Sequence, residues 1–170
     1  MSFKWFGAAM IIGSCTIVGF MISAAYKRDE RELRQLIRAL EYMCCELQFR
    51  RSALPDLCSA VGNEHDGYIG KLFKNLANEL ESHNAPDVQI CLASAAAAAG
   101  PLSRHLEGAI CFLGSSLGRF DLEGQLAGLK SVKAYCEEQL LTMTQGRDAR
   151  LRSYQTLGVC TGAALAILFV

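Results

Sequence analysis

The sequence predicts an all-α protein: a soluble bundle of about six helices held between two apolar, membrane-spanning helices. Two observations carry this. The charge of the 170-residue chain is partitioned, with no charged side chain from Trp5 to Tyr26 and none from Ser153 to Val170, while every charge except Lys4 lies between Lys27 and Arg152. In that middle stretch apolar residues recur three or four apart, and there is no strand alternation or internal repeat. The boundaries read as an N-terminal span over 1–26, a helical domain over 27–152 and a C-terminal span over 153–170.

The first segment is WFGAAMIIGSCTIVGFMISAAY. About 20 apolar residues in a helix cross the hydrocarbon core, and in lipid the backbone must bond within the segment, so a helix is the expected form. Gly7, Gly13, Ser14 and Gly19 put small side chains along it, which suits close packing against another helix. A cleavable signal peptide is the competing reading, with Lys4 as its positive end and Ser23-Ala24-Ala25 as the cleavage site. Against it stand the length of the apolar run and the basic residues that follow it: Lys27, Arg28, Arg31, Arg34 and Arg38. The last segment, YQTLGVCTGAALAILFV, is at the lower limit of roughly 17 residues for a span, and a buried core helix is its competing reading. Basic residues flank both segments on the inner side (Arg147, Arg150 and Arg152 at the second). The positive-inside rule therefore places the middle domain in the cytoplasm and both termini across the membrane.

Within the domain, Leu33, Leu36, Ile37, Leu40, Met43, Cys44 and Leu47 line one face of a first helix over 27–51. Pro55 begins a short helix over 54–61, where its missing N–H costs nothing, and Gly62-Asn63 is read as its stop. Asp66 precedes a third helix carrying Ile69, Leu72, Phe73, Leu76 and Leu80 on one face. After the turn His83–Pro86, Asp87 opens a small-residue helix, VQICLASAAAAA, stopped by Gly100-Pro101. Its alanine run is expected to pack closely or lie flat. A fifth helix runs from 102 to 117. A sixth follows Gly118 through Leu126, Leu129, Val132, Cys136, Leu140 and Met143.

With 17 basic and 17 acidic residues the chain has no net charge, which argues against nucleic-acid binding. The eight cysteines contain no C-x-x-C, and His65, His83 and His105 show no ligand spacing, so no zinc site or other cofactor is expected. The thiols of the domain are expected to be reduced and buried as small hydrophobes. Glu41, Glu46, Asp121 and Glu123 are better read as solvated or capping carboxylates than as an acid–base cluster, since nothing sets two of them in one site. No G-x-x-x-x-G-K-[ST] occurs, so the chain is not itself a nucleotide-driven motor.

The most specific string is LGSSLGRFDLEGQLAGL, with Leu117-Gly118-x-x-Asp121-x-x-x-Gln125 at a helix junction. Gly118 suits the end of one helix and Asp121 the cap of the next, with Gln125 one turn further on. This string resembles the stage III sporulation protein AB family, as do LRQLIRALEYMCCEL, which carries Glu41 and Glu46, and Leu54-Pro55 with its short helix. With the two apolar ends, the likeness covers essentially the whole chain. The cysteine content and the Ala95–Ala99 run depart from the family pattern without touching the matching positions.

The resemblance implies a non-enzymatic platform protein, similar to the helical domain of the inner-membrane platform proteins of type II secretion and type IV pilus systems. It would sit in the outer membrane around the forespore and face the mother cell. The expected partners are a secretion-type ATPase (stage III sporulation protein AA), other membrane proteins of the same sporulation complex, membrane lipid and further copies of the chain. Two other readings are a subunit of an oligomeric membrane pore or transporter and a helical protein secreted after signal cleavage. Charged residues inside the spans would favour the pore, and there are none.

Overall fold

The computed structural model describes residues 2–49, 53–82, 87–117, 122–145, 156 and 160, without the side chains of 2–16, 18, 19 and 104. Every described element is helical: α1 (Ser2–Phe49), α2 (Leu54–Glu64), α3 (Gly67–Ser82), α4 (Val88–Ala99), α5 (Arg104–Ser116) and α6 (Leu122–Thr144). The chain forms two compact units, Met1–Arg28 with Met143–Val170, and Asp29–Thr142.

In the Asp29–Thr142 unit the predicted faces become the core. Leu33, Leu36, Leu40 and Met43 of α1 are fully buried, as are Ile69, Leu72, Phe73 and Leu76 of α3 and Leu129, Val132 and Cys136 of α6. Each large aliphatic or aromatic side chain taken from water contributes roughly 1.5–3 kcal/mol, so this shared core is what makes the separate helices one body. Consecutive helices α2, α3, α4 and α5 pack on one another. The α5–α6 pairing is marked by an edge-to-face contact of Phe112 and Tyr135, with ring centres 6.1 Å apart. Lys133 of α6 reaches Glu41 of α1 at 2.7 Å.

Local chemistry explains the ends of the elements. The Asp87 carboxylate accepts from the Gln89 N–H at 3.2 Å, as a helix-capping aspartate should. Gly100 ends α4 at φ +122°, a conformation that side chains with a Cβ rarely adopt, and Pro101 follows it. Ser103 precedes α5, its carbonyl accepting from the Leu106 and Glu107 N–H groups.

One expectation is corrected: Gly62-Asn63 does not stop α2, which continues to Glu64. Gly62 is buried where α2 meets α3. A Cβ there would stand 2.6 Å from Lys74 Cγ and 2.9 Å from Lys74 N. Gly70 of α3 has the reciprocal role, its missing Cβ leaving room for the backbone carbonyl of His65.

In the other unit, Ile17, Phe20, Met21 and Ile22 are exposed, Met21 by 66% of its surface, whereas Ser23 is buried. The Tyr26 hydroxyl donates to the Met143 carbonyl at 3.3 Å. Among the described residues, no helix is long and apolar enough to cross a membrane. Most side chains of the first apolar segment, and the second segment except Thr156 and Cys160, lie outside the described residues. So does the basic flank Arg147, Arg150 and Arg152.

Candidate functional site

The residues singled out in the sequence fall at three places. Glu41 and Glu46 lie on α1, Pro55 lies at the start of α2, and the remainder belong to the junction between α5 and α6. Nothing gathers them into one pocket among the described residues.

Glu41 is exposed and accepts a short ion pair from Lys133, which also reaches Glu137 at 3.5 Å. The hydrogen bond from Lys133 to Glu41 is the main reason that the amine's pKa is raised. Both partners remain open to solvent, so screening keeps the pair's contribution to stability small. Its consequence is geometric, because it joins two helices far apart in sequence. Lys133 and Glu137 escaped the sequence reading; their spacing of four was the available signal, though it cannot point to α1. Glu46 lies half-buried on the same helix.

Pro55 occupies the first turn of α2 behind Ala53, whose extended backbone (φ −63°, ψ 147°) starts the helix. The Leu57 N–H donates to the Ala53 carbonyl at 3.0 Å. Pro55 is therefore a starter of the short helix, as its chemistry demands.

At the junction, Leu117 is fully buried and its N–H donates to the Leu113 carbonyl at 3.0 Å, closing α5. Gly118 and Asp121 lie outside the described residues. Gln125 stands half-exposed in the first turn of α6. Close by, Gly128 of α6 lies against Ser116 of α5, where a Cβ would come within 2.8 Å of Ser116 Cβ.

The α3–α4 contact has its own polar ties. The Tyr68 hydroxyl donates to the Ala96 carbonyl at 3.3 Å, and Asn75 Nδ2 donates to the Ala95 carbonyl at 3.5 Å. Burial, with Glu32 adding to it, pushes the Tyr68 phenol up. The alanine run thus does two things: Ala95 and Ala96 are buried against α3, while Ala97 and Ala98 remain exposed. Beside them, a cleft of about 350 Å³ runs between α4 and α5, walled by Leu92, Ala93, Ala96, Ile110 and Cys111 with Glu107 at its edge.

Cys44, Cys58 and Cys136 do not resemble reactive centres. Cys58, Cys91 and Cys136 are buried; burial raises Cys58 to about 12 and Cys136 to about 11. Cys44 is also raised, chiefly by burial, although Lys130 and Lys133 oppose the shift. A nucleophilic or metal-binding cysteine needs the opposite shift. Cys45 and Cys111 correct the expectation of buried thiols, since both are exposed. Among the described residues, no group of His, Cys, Asp and Glu could hold a metal ion.

These features define a helical bundle whose shared geometry lies in its helix–helix contacts. Over residues 4–170 the sequence matches the family profile described as stage III sporulation protein AB, and the chain belongs to that family. Its structure is similar to a solved structure titled stage III sporulation protein AB, with a TM-score of 0.61 and 16% sequence identity, covering 69% of this chain and 94% of that one. At that identity the likeness shows the shared fold. No curated protein matches the sequence.

Proposed function

We propose that this chain is a membrane-anchored scaffold of a sporulation-specific, secretion-like complex linking mother cell and forespore. In this reading the apolar ends sit in the outer forespore membrane. The domain between them faces the mother-cell cytoplasm and engages a secretion-type ATPase, stage III sporulation protein AA. Other membrane proteins of the complex, and further copies of the chain, complete the assembly.

The observation that carries the reading is α1. A single helix, Ser2–Phe49, contains both the charge-free run and the buried stripe Leu33 to Leu47. Ile17, Phe20, Met21 and Ile22 present apolar surface outward in the first part of that helix, which water disfavours and lipid accepts. A continuous helix is also a stiff element through which movement of a bound ATPase would reach the membrane. Membership of a sporulation family supports the cellular setting.

Glu41, Glu46 and Gln125 are the proposed contact positions, and the role of Leu117, Gly118 and Asp121 is to set the junction that presents Gln125. The test is co-purification of the full chain with the ATPase from a cell producing both. Glu46→Lys and Gln125→Lys are each expected to weaken the association by roughly tenfold, about 1.4 kcal/mol, with helix content unchanged. Absence of association by a correctly folded wild-type chain would remove the ATPase from this account.

A further inference from the structure

Arg31, Arg34 and Arg38 follow one another at spacings of three and four on α1, which puts them on one face, and all three are exposed. Arg34 donates through Nε and Nη2 to the same Glu30 oxygen, at 3.2 and 3.0 Å. Two of its five guanidinium N–H groups are thereby used, and its side chain remains 51% exposed. Arg31 and Arg38 form no ion pair among the described residues. The helix returns to this face at Phe49, about five turns after Arg31. Phe49 is 77% exposed, and Cys45, one turn before it, is exposed as well. All of these residues belong to the Asp29–Thr142 unit.

This face is costly in water. Arg31 with Arg34, and Arg34 with Arg38, are like charges at the spacings where side chains meet, and they repel. The open ring of Phe49 leaves apolar surface unburied. The core is formed by the opposite face of α1, so packing within the domain requires neither feature. An occupant that relieves both carries anions at one end and an apolar group roughly 16 Å further along. A lipid headgroup layer or a nucleic-acid backbone supplies the anions alone. A protein helix supplies both, and arginine and aromatic side chains are the usual anchors of protein interfaces. Carboxylates three and four residues apart on such a helix match the arginines one for one, each guanidinium fork offering paired donors in a plane. A second copy of this chain does not fit: no three of its acidic residues recur at successive spacings of three or four, and two arginine stripes brought together repel.

We infer that Arg31, Arg34, Arg38 and Phe49 form a docking face for an acidic helix of another protein, with carboxylates set against the arginines and an apolar side chain against the ring. The inference goes beyond the ATPase contact proposed above and does not depend on it.

The test uses the full chain in phosphatidylcholine nanodiscs and a fluorescent synthetic helix of alanine and glutamine, with binding read by anisotropy against empty nanodiscs. The helix carries glutamates at spacings of three and four, and a leucine eleven residues out on either side, the separation of Arg38 from Phe49. The wild type is expected to bind it roughly fivefold more tightly than a helix of the same composition whose glutamates are spread round the axis. R31Q/R34Q/R38Q is expected to bind it roughly tenfold more weakly than the wild type. F49A should also bind more weakly, and K71Q on α3 as the wild type does. Equal helix content and melting temperature establish that the variants are folded. No binding by the wild type, equal binding of the two peptides, or undiminished binding by the glutamine variant or by F49A overturns the inference. So does displacement of the peptide by duplex RNA or by phosphatidylglycerol vesicles that R31Q/R34Q/R38Q no longer binds. Gln125→Lys, which reads the ATPase contact, is expected to leave peptide binding unchanged, so either account can fail without the other.

Discussion

At the scale of single residues, small side chains decide how closely the helices approach. Gly70→Ala would drive a Cβ into the His65 backbone carbonyl, which cannot rotate away as a flexible side chain would. It is expected to destabilise the domain by about 1–3 kcal/mol despite alanine's better helix propensity, as read by urea denaturation. A gain in stability would mean that α2 and α3 do not meet there. The buried thiols give a second residue-level prediction. The unfolded chain ionises Cys58 near 9.0, whereas the folded chain holds it protonated to about 12. Between these values the unfolded state binds fewer protons, so stability is complete below about pH 9 and is lost as the pH rises. Urea midpoints measured from neutral to alkaline pH should therefore fall, and Cys58→Ala should flatten part of that slope. Cys45 and Cys111 should react with a maleimide in the native state, well before Cys58, Cys91 and Cys136.

Among the elements, α1 is the one on which the domain depends. Leu40 is fully buried in it, and Leu40→Ala is expected to cost about 2–5 kcal/mol. Glu41→Gln, one residue on, removes a solvent-exposed ion pair and should cost far less. Comparable losses from the two variants would show that burial of its apolar face is not what holds α1 in the domain. This contrast also explains what could be read from the sequence. The spacing of Leu33, Leu36, Leu40 and Met43 identifies a buried face because a helix imposes its own period. Asp87, Gly100 and Pro101 mark ends because capping is local chemistry. Gly62 looked like a stop because glycine's most frequent meaning near a helix end is local, whereas its role here is set by Lys74 and Gly70 on another helix. Lys133 was invisible as the partner of Glu41 for the same reason. Of the junction residues, Leu117 and Gln125 could be placed, while Gly118 and Asp121 lie outside the described residues. Cys45 and Cys111 were misread because cysteine's usual burial says nothing about which side of a helix it occupies.

For the whole molecule, the central claim is topological: the apolar ends lie in a membrane, and the domain between them faces the compartment that holds the ATPase. The proposed ATPase contact depends on that arrangement. Charge supplies the expectation, through the basic residues that follow Tyr26 and precede Ser153, and the exposed apolar side chains of α1 agree with it. The direct measurement is labelling of single-cysteine variants at Ser2 and Ser82, in a cysteine-free full chain, by a membrane-impermeant maleimide in intact vegetative cells. Ser82 is exposed at the end of α3, so a reagent on its side of the membrane would reach it. The account predicts labelling at Ser2, and at Ser82 only after the cells are opened. Labelling of Ser82 in intact cells would put the domain on the far side of the membrane, out of reach of any cytoplasmic ATPase, and would contradict the account.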